Sequence, residues 1–296
     1  MSEHGAVRIG ISGWTYPPWR GVFYPKGLAQ KQELTYASSA LNSIEINGTF
    51  YSLQRPSSFA RWFDETPEDF VFSLKGPRFL THIKRLKEPE EPLMNLFASG
   101  LFALRRKLGP MLWQLPPSFR FEPEIVDHFL SLLPHTTEEA AALARGHSKK
   151  MEGRSLTDPG ENRPLRHAME IRHKSFAVPE FISMLTKHEV ALVCADTVAW
   201  PRMMDVTSDF VYCRLHGSEK LYASGYTDEA LDQWAARIAK WAAGSEPDDA
   251  EKISASKPAA RKIRDVFVYF DNDLKVRAPF DAQALRQRIE KLLPAT

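Results

Sequence analysis

The feature that most constrains this chain is a short strand-like run that recurs eight times, usually followed by a helical pattern. In residues 211–217 apolar and polar side chains alternate, so Arg214 and His216 share one face of a strand and Cys213 lies on the other. One such strand is typical of a sheet edge with its polar face in water. Eight of them, separated by helices, instead predict parallel β/α units. The predicted strands cover residues 8–14, 43–47, 69–75, 110–115, 167–172, 191–196, 210–216 and 265–271.

Helical patterns fill most of the intervals between these runs. Eight β/α units predict a single (β/α)₈ TIM-type barrel, with a parallel eight-stranded core and outer helices. A doubly wound sheet is the alternative, but no Gly-x-Gly-x-x-Gly follows the first strand, so no nucleotide cofactor is expected. The predicted helices cover residues 32–41, 57–65, 93–108, 123–133, 179–188, 228–241 and 282–292.

Two polar stretches interrupt the β/α pattern without dividing it. Residues 136–164 contain an Ala-rich helical piece and then a polar Gly/Pro run, which predicts an insertion between strands four and five. Residues 244–262 are polar and rich in Ser, Ala, Lys and Pro, which predicts a mobile linker. We therefore expect one TIM-barrel domain over residues 1–296.

Composition excludes several classes of protein. The formal charge is +2, from 39 basic and 37 acidic residues, so the chain as a whole has no electrostatic bias toward nucleic acid or membrane. No apolar run approaches the roughly 20 residues of a membrane span, and no signal peptide is recognised, so a cytoplasmic location is expected. Cys194 and Cys213 are too few for a disulfide scaffold or a four-thiolate zinc site, which predicts reduced core residues.

Reactive side chains cluster where the predicted strands end. In a barrel of parallel strands these ends converge on one opening, the mouth, where such enzymes place their chemistry. Period-two alternation puts Glu45 with Asn47, Glu170 with Arg172, and Cys194 with Asp196, which predicts a polar face toward the lumen. The strand-end residues are Trp14, Glu45, Asn47, Lys75, Gln114, Glu170, Arg172, Asp196, Arg214, His216, Asp271 and Asn272.

Each type of side chain at the mouth predicts a role. Carboxylates and His216 are candidate acids, bases or proton carriers, and Lys75 and Arg214 are suited to hold negative charge. The predicted catalytic residues are Glu45, Glu170, Asp196 and His216. The predicted substrate-binding residues are Trp14, Asn47, Tyr51, Lys75, His82, Gln114, Arg172, Arg214, Tyr222 and Asn272.

A purely structural alternative accounts for the same constellation. Burying unpaired ions costs several kcal/mol each, so buried charges neutralise one another or meet a ligand. An internal ion-pair network, with Glu170 bound to Arg172 or Arg214, would satisfy this requirement without catalysis.

Short blocks spread over nearly the whole chain carry a family resemblance. They are SGW (12–14), FYP (23–25), SIEIN (43–47), TFY (49–51), FSLK (72–75), TH (81–82), LWQLPP (112–117), EIRH (170–173), DT (196–197), YCRLHG (212–217) and YFDN (269–272). In this order they resemble the YecE-like family, a widespread set of conserved proteins of unknown function. The resemblance implies a TIM-type barrel and a loose relation to sugar isomerases, but no established reaction.

Three functional hypotheses remain open. The first is an isomerase-like or hydrolase-like enzyme that applies acid/base chemistry to a small sugar-like or anionic substrate. The second is a metal-dependent phosphoesterase or nuclease, with a divalent ion on Glu45, Glu170, Asp196 and His216. The third is a nucleotide or nucleic-acid binding protein without catalysis, which the balanced charge does not favour. Its contacts would come from the insertion residues Arg145, Lys149, Lys150 and Arg154.

Overall fold

Eight parallel strands form a closed barrel, and each strand pairs with the next one along the chain. The computed structural model describes residues 3–217, 225–272 and 276–294. The last strand pairs with the first, with Val266 opposite Val7, which closes the sheet. The predicted TIM-type barrel is therefore confirmed. The strands are β1 (Val7–Ser12), β2 (Ser43–Ile46), β3 (Val71–Lys75), β4 (Leu108–Gln114), β5 (His167–Glu170), β6 (Ala191–Asp196), β7 (Phe210–Leu215) and β8 (Asp265–Phe270).

The helices lie between the strands, with one interruption that the sequence pattern did not predict. The helix predicted over residues 93–108 stops at Ala98, because Gly100 adopts a left-handed φ of 107°. A Cβ at Gly100 would lie 2.5 Å from Cα of Pro56, so this position requires glycine. The chain then continues as a 3-10 helix, Leu101–Lys107. The α-helices of the described residues are α1 (Glu33–Ala40), α2 (Gly48–Tyr51), α3 (Pro56–Asp64), α4 (Glu90–Ala98), α5 (Pro123–Ser131), α6 (Thr137–Ala144), α7 (Pro179–Lys187), α8 (Asp228–Ala242) and α9 (Ala278–Leu292).

Both polar stretches are tied to the barrel. Within residues 136–164, α6 begins at a capping box between Thr136 and Glu139, and the amide of Ser148 donates to Asn95 on α4 at 2.9 Å. Residues 245–264 contain no helix or strand, but the carboxylate of Asp205 accepts from the amides of residues 253 and 254 at 2.9 Å each. Mobility of this second stretch stays a prediction.

The barrel has an inner and an outer apolar layer. Inside it, buried side chains such as Leu112, Val193 and Phe267 fill the lumen, and the rings of Tyr212 and Tyr269 lie 5.2 Å apart above them. The outer layer lies between strands and helices. It includes the free, buried thiols Cys194 and Cys213, register neighbours on β6 and β7. Among the described helices, none has the length and apolar character needed to cross a membrane.

Candidate functional site

A fully buried arginine, Arg214, organises the carboxyl end of the lumen. Its Nε and Nη2 donate to the two carboxylate oxygens of Glu45 at 3.1 and 2.9 Å. Nη1 donates to Glu170 at 2.7 Å, and Nη2 also donates to Asp271 at 2.9 Å and to Ser12 at 3.2 Å. Every nitrogen of the guanidinium therefore has a protein acceptor. Arg214 thus holds the carboxylates in place, and its predicted contact with a substrate stays a prediction.

Glu170 is the second centre of this cluster. One of its oxygens accepts from Nε of Arg172 at 2.6 Å, and Gln114 lies 3.3 Å from both oxygens. Nε2 of His216 lies 3.7 Å from the same carboxylate, and its Nδ1 lies 3.1 Å from Asp271. The structure thus brings together Glu45, Glu170, Arg214 and His216 in the lumen, with Gln114 and Arg172 beside them.

Hydroxyl groups in the lumen donate hydrogen bonds to the buried carboxylate of Glu45. Tyr212 donates to Glu45 at 2.7 Å, and Ser12 donates to the other oxygen of Glu45 at 2.9 Å. The hydroxyl of Ser73 lies 2.7 Å from that of Tyr212. These hydrogen bonds offset part of the free energy lost when a carboxylate leaves water.

The paired carboxylates stay ionised near neutral pH. Burial acts to raise the pKa of Glu170, but Arg172 and Arg214 hold that pKa well below its usual range. Burial also acts to raise the pKa of Asp271, and Arg214 and His216 lower it below its usual value. Burial acts to lower the pKa of Arg214. The charges of Asp271, Glu45 and Glu170 outweigh this effect and raise that pKa well above its usual value. Glu170 and Asp271 are therefore fixed negative charges and poor proton donors.

Lys75, at the end of β3, differs from the other cations. Its side chain is nearly buried, with 9% of the residue exposed, and Nζ lies 4.4 Å from the centroid of the Phe50 ring. No hydrogen bond or salt bridge reaches this ammonium from any described residue. Burial and the charge of Arg214 lower the pKa of Lys75 from 10.5 to about 8, against the opposing effect of Glu45 and its neighbouring carboxylates. Lys75 can therefore exchange a proton close to neutral pH.

His82 packs edge-to-face with Phe50, with the two ring centroids 5.1 Å apart. Its Nδ1 is 2.9 Å from the hydroxyl of Thr81. Burial and the charge of Lys75 lower the pKa of His82 from 6.5 to about 4. The ring is therefore neutral at neutral pH and is a weak base there.

A cavity of about 630 Å³ adjoins the mouth and shares Phe50 with it. The predicted binding residue Tyr51 lines this cavity and is 73% exposed. Arg78 and Phe79 line it from the segment after β3, and Lys150 lines it from the insertion. Tyr51 thus lies beside the lumen cluster rather than within it.

Asp196 is at the end of β6 as predicted, but it faces away from the lumen. Val193 belongs to the inner layer and Cys194 to the outer one, so Asp196 shares the outer face of the strand. Its carboxylate accepts from Trp234 on α8 at 3.3 Å and from Arg202 at 3.2 Å. The predicted lumen position is wrong because alternation separates two faces without showing which one is inward.

Two predicted binding residues also lie outside the lumen. Gly13 has a left-handed φ of 83°, and beyond it the ring of Trp14 packs 5.4 Å from that of Trp62 on α3. The amide of Asn272 donates to Asp281 on α9 at 2.8 Å, while the preceding Asp271 takes the lumen position. Trp14 and Asn272 therefore lie outside the lumen cluster, and their predicted contacts with a substrate stay predictions.

Polar atoms at the rim remain available for a ligand. Oδ1 of Asn47 and Nε1 of Trp200 are buried and have no hydrogen-bond partner among the described residues. Trp200 lies 5.2 Å from the His216 ring and 4.3 Å from the Arg172 guanidinium. The predicted binding residue Tyr222 lies outside the described residues.

Some residues of the cluster received no role from the sequence. Asp271 follows Tyr269 by two positions, so the inward orientation of Tyr269 was the available signal for Asp271. Ser12 lacked such a signal, because a lone serine at a strand end is common. Phe50 and Trp200 follow their strands in loops, where alternation does not apply.

The donor set does not fit the predicted metal centre. Within residues 3–217, 225–272 and 276–294, no group of three or more His, Cys, Asp or Glu side chains is arranged to hold a metal ion. The space between Glu45 and Glu170 is occupied by the Arg214 guanidinium, and Asp196 faces the helices.

One residue of the predicted nucleic-acid contact in the insertion is engaged within the protein. Arg154 donates to the carbonyl of Leu53 at 3.0 Å, which directs that cation toward the protein.

A closed (β/α)₈ barrel with a buried arginine–carboxylate centre at its carboxyl end defines the class of this protein. Within that class the chain belongs to the family described as "Protein of unknown function DUF72", whose model matches residues 8–295. This confirms the YecE-like resemblance.

Curated relatives support the same assignment. The UPF0759 protein YecE of Escherichia coli K12 is 29% identical over 164 residues, which is 53% of this chain and 57% of that protein. The UPF0759 protein YunF of Bacillus subtilis 168 is 30% identical over 125 residues, 40% of this chain and 43% of that protein. The chain thus spans about half the length of the curated relatives it matches.

Solved structures share the fold over nearly the full length. A DUF72 family protein from Thermotoga maritima MSB8 has a TM-score of 0.71 at 24% identity, covering 96% of this chain and 99% of that one. Another from Enterococcus faecalis V583 has a TM-score of 0.66 at 16% identity, covering 98% and 96%. At these identities the likeness concerns the fold alone.

Proposed function

We propose that the protein is an enzyme that moves protons on a small sugar-like or anionic substrate at the mouth of the barrel. The observation that carries this proposal is Lys75, a nearly buried amine without a charged partner among the described residues and with a pKa of about 8. Burying a cation without an ion pair is costly for a folded protein. Strongly shifted pKa values in a pocket are a recognised sign of a functional residue.

The surrounding groups suit this role. Burial and Arg214 favour the neutral amine, whereas the negative charges of Glu45, Asp271 and Glu170 favour the protonated one. Lys75 is thereby poised between the two forms, as a general base or acid must be. The unsatisfied acceptor of Asn47 and donor of Trp200 suit a substrate with hydroxyl or carboxylate groups.

Deuterium exchange monitored by NMR tests the proposal. A panel of hydroxyketones, aldoses, ketoses and 2-keto acids in deuterated buffer is incubated with the protein. We expect exchange or isomerisation at a carbon next to a carbonyl, with a rate that reaches its plateau as Lys75 deprotonates near pH 8. Lys75→Met should reduce this rate by roughly 10²–10⁴-fold.

A matched control separates loss of the amine from a general effect of removing a buried lysine. Lys107 is also buried and lies outside the mouth, so Lys107→Met should keep the wild-type rate in whatever fraction remains folded. If Lys75→Met exchanges protons as fast as the wild type, the proposal is wrong.

A further inference from the structure

The cations of the mouth divide into paired and unpaired groups. Arg214 donates to three carboxylates, and Arg172 donates to Glu170. The ammonium of Lys75 lies 4.4 Å from the centroid of the Phe50 ring and forms no hydrogen bond or salt bridge with any described residue. Its lone pair, once a proton leaves, is not engaged by any described group.

We infer that Lys75 is a nucleophile that forms an imine with the carbonyl group of an aldehyde or ketone substrate. The inference rests on the proposed function, since it assigns a covalent step to the same amine. The Nζ lone pair forms a bond to the carbonyl carbon, and the carbonyl π electrons move to oxygen, which takes up a proton. The nitrogen then gives up one proton and the new hydroxyl takes up a second proton. The nitrogen lone pair forms the C=N bond as the C–O bond breaks, and oxygen leaves as water. Overall, one ammonium and one carbonyl give one iminium ion and one water, so charge and atoms balance.

Two features of the site favour this step. A lysine in an apolar setting beside another cation retains a reactive neutral fraction, and Phe50 and Arg214 supply those conditions for Lys75. The protonated iminium product carries a positive charge close to Glu45, Glu170 and Asp271, which already interact with the charge of Lys75. The negative charges of these carboxylates thus stabilise the cationic product.

A second buried lysine provides the matched comparison. Nζ of Lys107 also lies over a phenyl ring, 4.3 Å from the centroid of Phe63. It donates to the carbonyls of Phe63 and Thr66 at 2.6 and 2.8 Å and to the hydroxyl of Thr66 at 3.1 Å. Burial lowers the pKa of Lys107 as well, but these three acceptors surround its nitrogen with hydrogen bonds that a carbonyl substrate would have to break.

Reductive trapping with glyoxylate tests the inference. The full chain is incubated at neutral pH with glyoxylate and cyanoborohydride, which reduces an iminium to a stable carboxymethyl amine, and adducts are located by peptide mass mapping. At that pH the neutral fraction of Lys75 exceeds that of an ordinary lysine by roughly 300-fold, so even with a less nucleophilic amine it should label on the order of 10–100 times faster than exposed lysines. Lys107 should not label.

Variants make the result specific. Lys75→Met and Lys75→Arg should both lose the fast adduct, the second while keeping a cation, and both are checked for a cooperative unfolding transition. Labelling of Lys75 no faster than that of exposed lysines overturns the inference. If Lys75→Met abolishes deuterium exchange in a protein that never traps, the imine is refuted and the proposed proton transfer stands. A Lys75 adduct without exchange on any substrate supports the imine and counts against the proposed function.

Discussion

Two lysines at opposite ends of the barrel occupy similar surroundings with different outcomes. Lys107 precedes β4 at the amino end, and Lys75 ends β3 at the carboxyl end. They are 2% and 9% exposed, and both lie over a phenylalanine ring. Lys107 has three oxygen acceptors, whereas Lys75 has none among the described residues. The two ends therefore differ in how they satisfy a buried ammonium, and the proposed function assigns the unbonded one a chemical role.

The arginines of the two ends show the same division in another form. Arg166, just before β5, bridges Asp209 and Asp265 at 2.8 and 2.7 Å with all three side chains about one-third exposed. Arg214 binds Glu45 and Glu170 with all three side chains fully buried. Solvent screens the first network and not the second.

The largest expected effect contrasts these two arginines. Arg214→Met leaves Glu45, Glu170 and Asp271 buried without their shared cation and should lower the free energy of unfolding by about 3–5 kcal/mol. Arg166→Met removes two partly screened ion pairs and should cost at most about 2 kcal/mol. Urea unfolding of both variants at pH 7 measures the difference. Equal losses would show that the two ends are braced alike.

The second effect is a change of sign between the two lysines. Lys75→Met should raise the free energy of unfolding by about 1–3 kcal/mol at pH 7, because the folded state disfavours the protonated amine. The folded pKa of about 8 lies below the unfolded value of 10.5. The wild type therefore gains stability as the pH rises from about 8 to 10.5, and the stability difference between Lys75→Met and the wild type disappears near pH 10.5.

The paired variant at the amino end should behave oppositely. Lys107→Met leaves the carbonyls of Phe63 and Thr66 without their donor and should lower the free energy of unfolding by about 1–3 kcal/mol. Urea titrations of both variants between pH 7 and pH 10 provide the measurement. Two shifts of the same sign would remove the distinction between a reactive lysine and a structural one.

The smallest expected effect concerns Asp196, which lies on the outer face of β6. Asp196→Asn should lower the free energy of unfolding by about 0.5–1.5 kcal/mol, because it weakens the bonds to Trp234 and Arg202. Deuterium exchange and glyoxylate trapping at Lys75 should be unchanged. A loss of either reaction in a stably folded variant would return Asp196 to the catalytic group.

The barrel and much of the site could be predicted from the chain because strand periodicity is a local property. All eight strands overlap their predicted ranges, and Glu45, Glu170 and Arg214 lie on the inward face as alternation requires. The split of the predicted helix 93–108 was not predictable from periodicity. It depends on the approach of Gly100 to Pro56, which are distant in sequence.

The roles within the site were harder to predict because they depend on pairing in space. Arg214 and Lys75 are both cations at strand ends, and only the contacts show that one is saturated and the other is not. Asp196 and Asp271 are both strand-end carboxylates, yet only Asp271 turns inward. Sequence supplies the types of side chain, and the direction of each strand decides which of them meet.

The span of the Arg214 network has a consequence for how the chain reaches its native state. Arg214 bonds to Ser12 across 202 positions and to Glu45 across 169, so these contacts form only when the two ends of the chain have come together. Until β7 joins the sheet, Glu45 on β2 lacks its counterion. We therefore expect this ion network to form late in folding, so that a chain cut short before β7 collapses without reaching a stable fold.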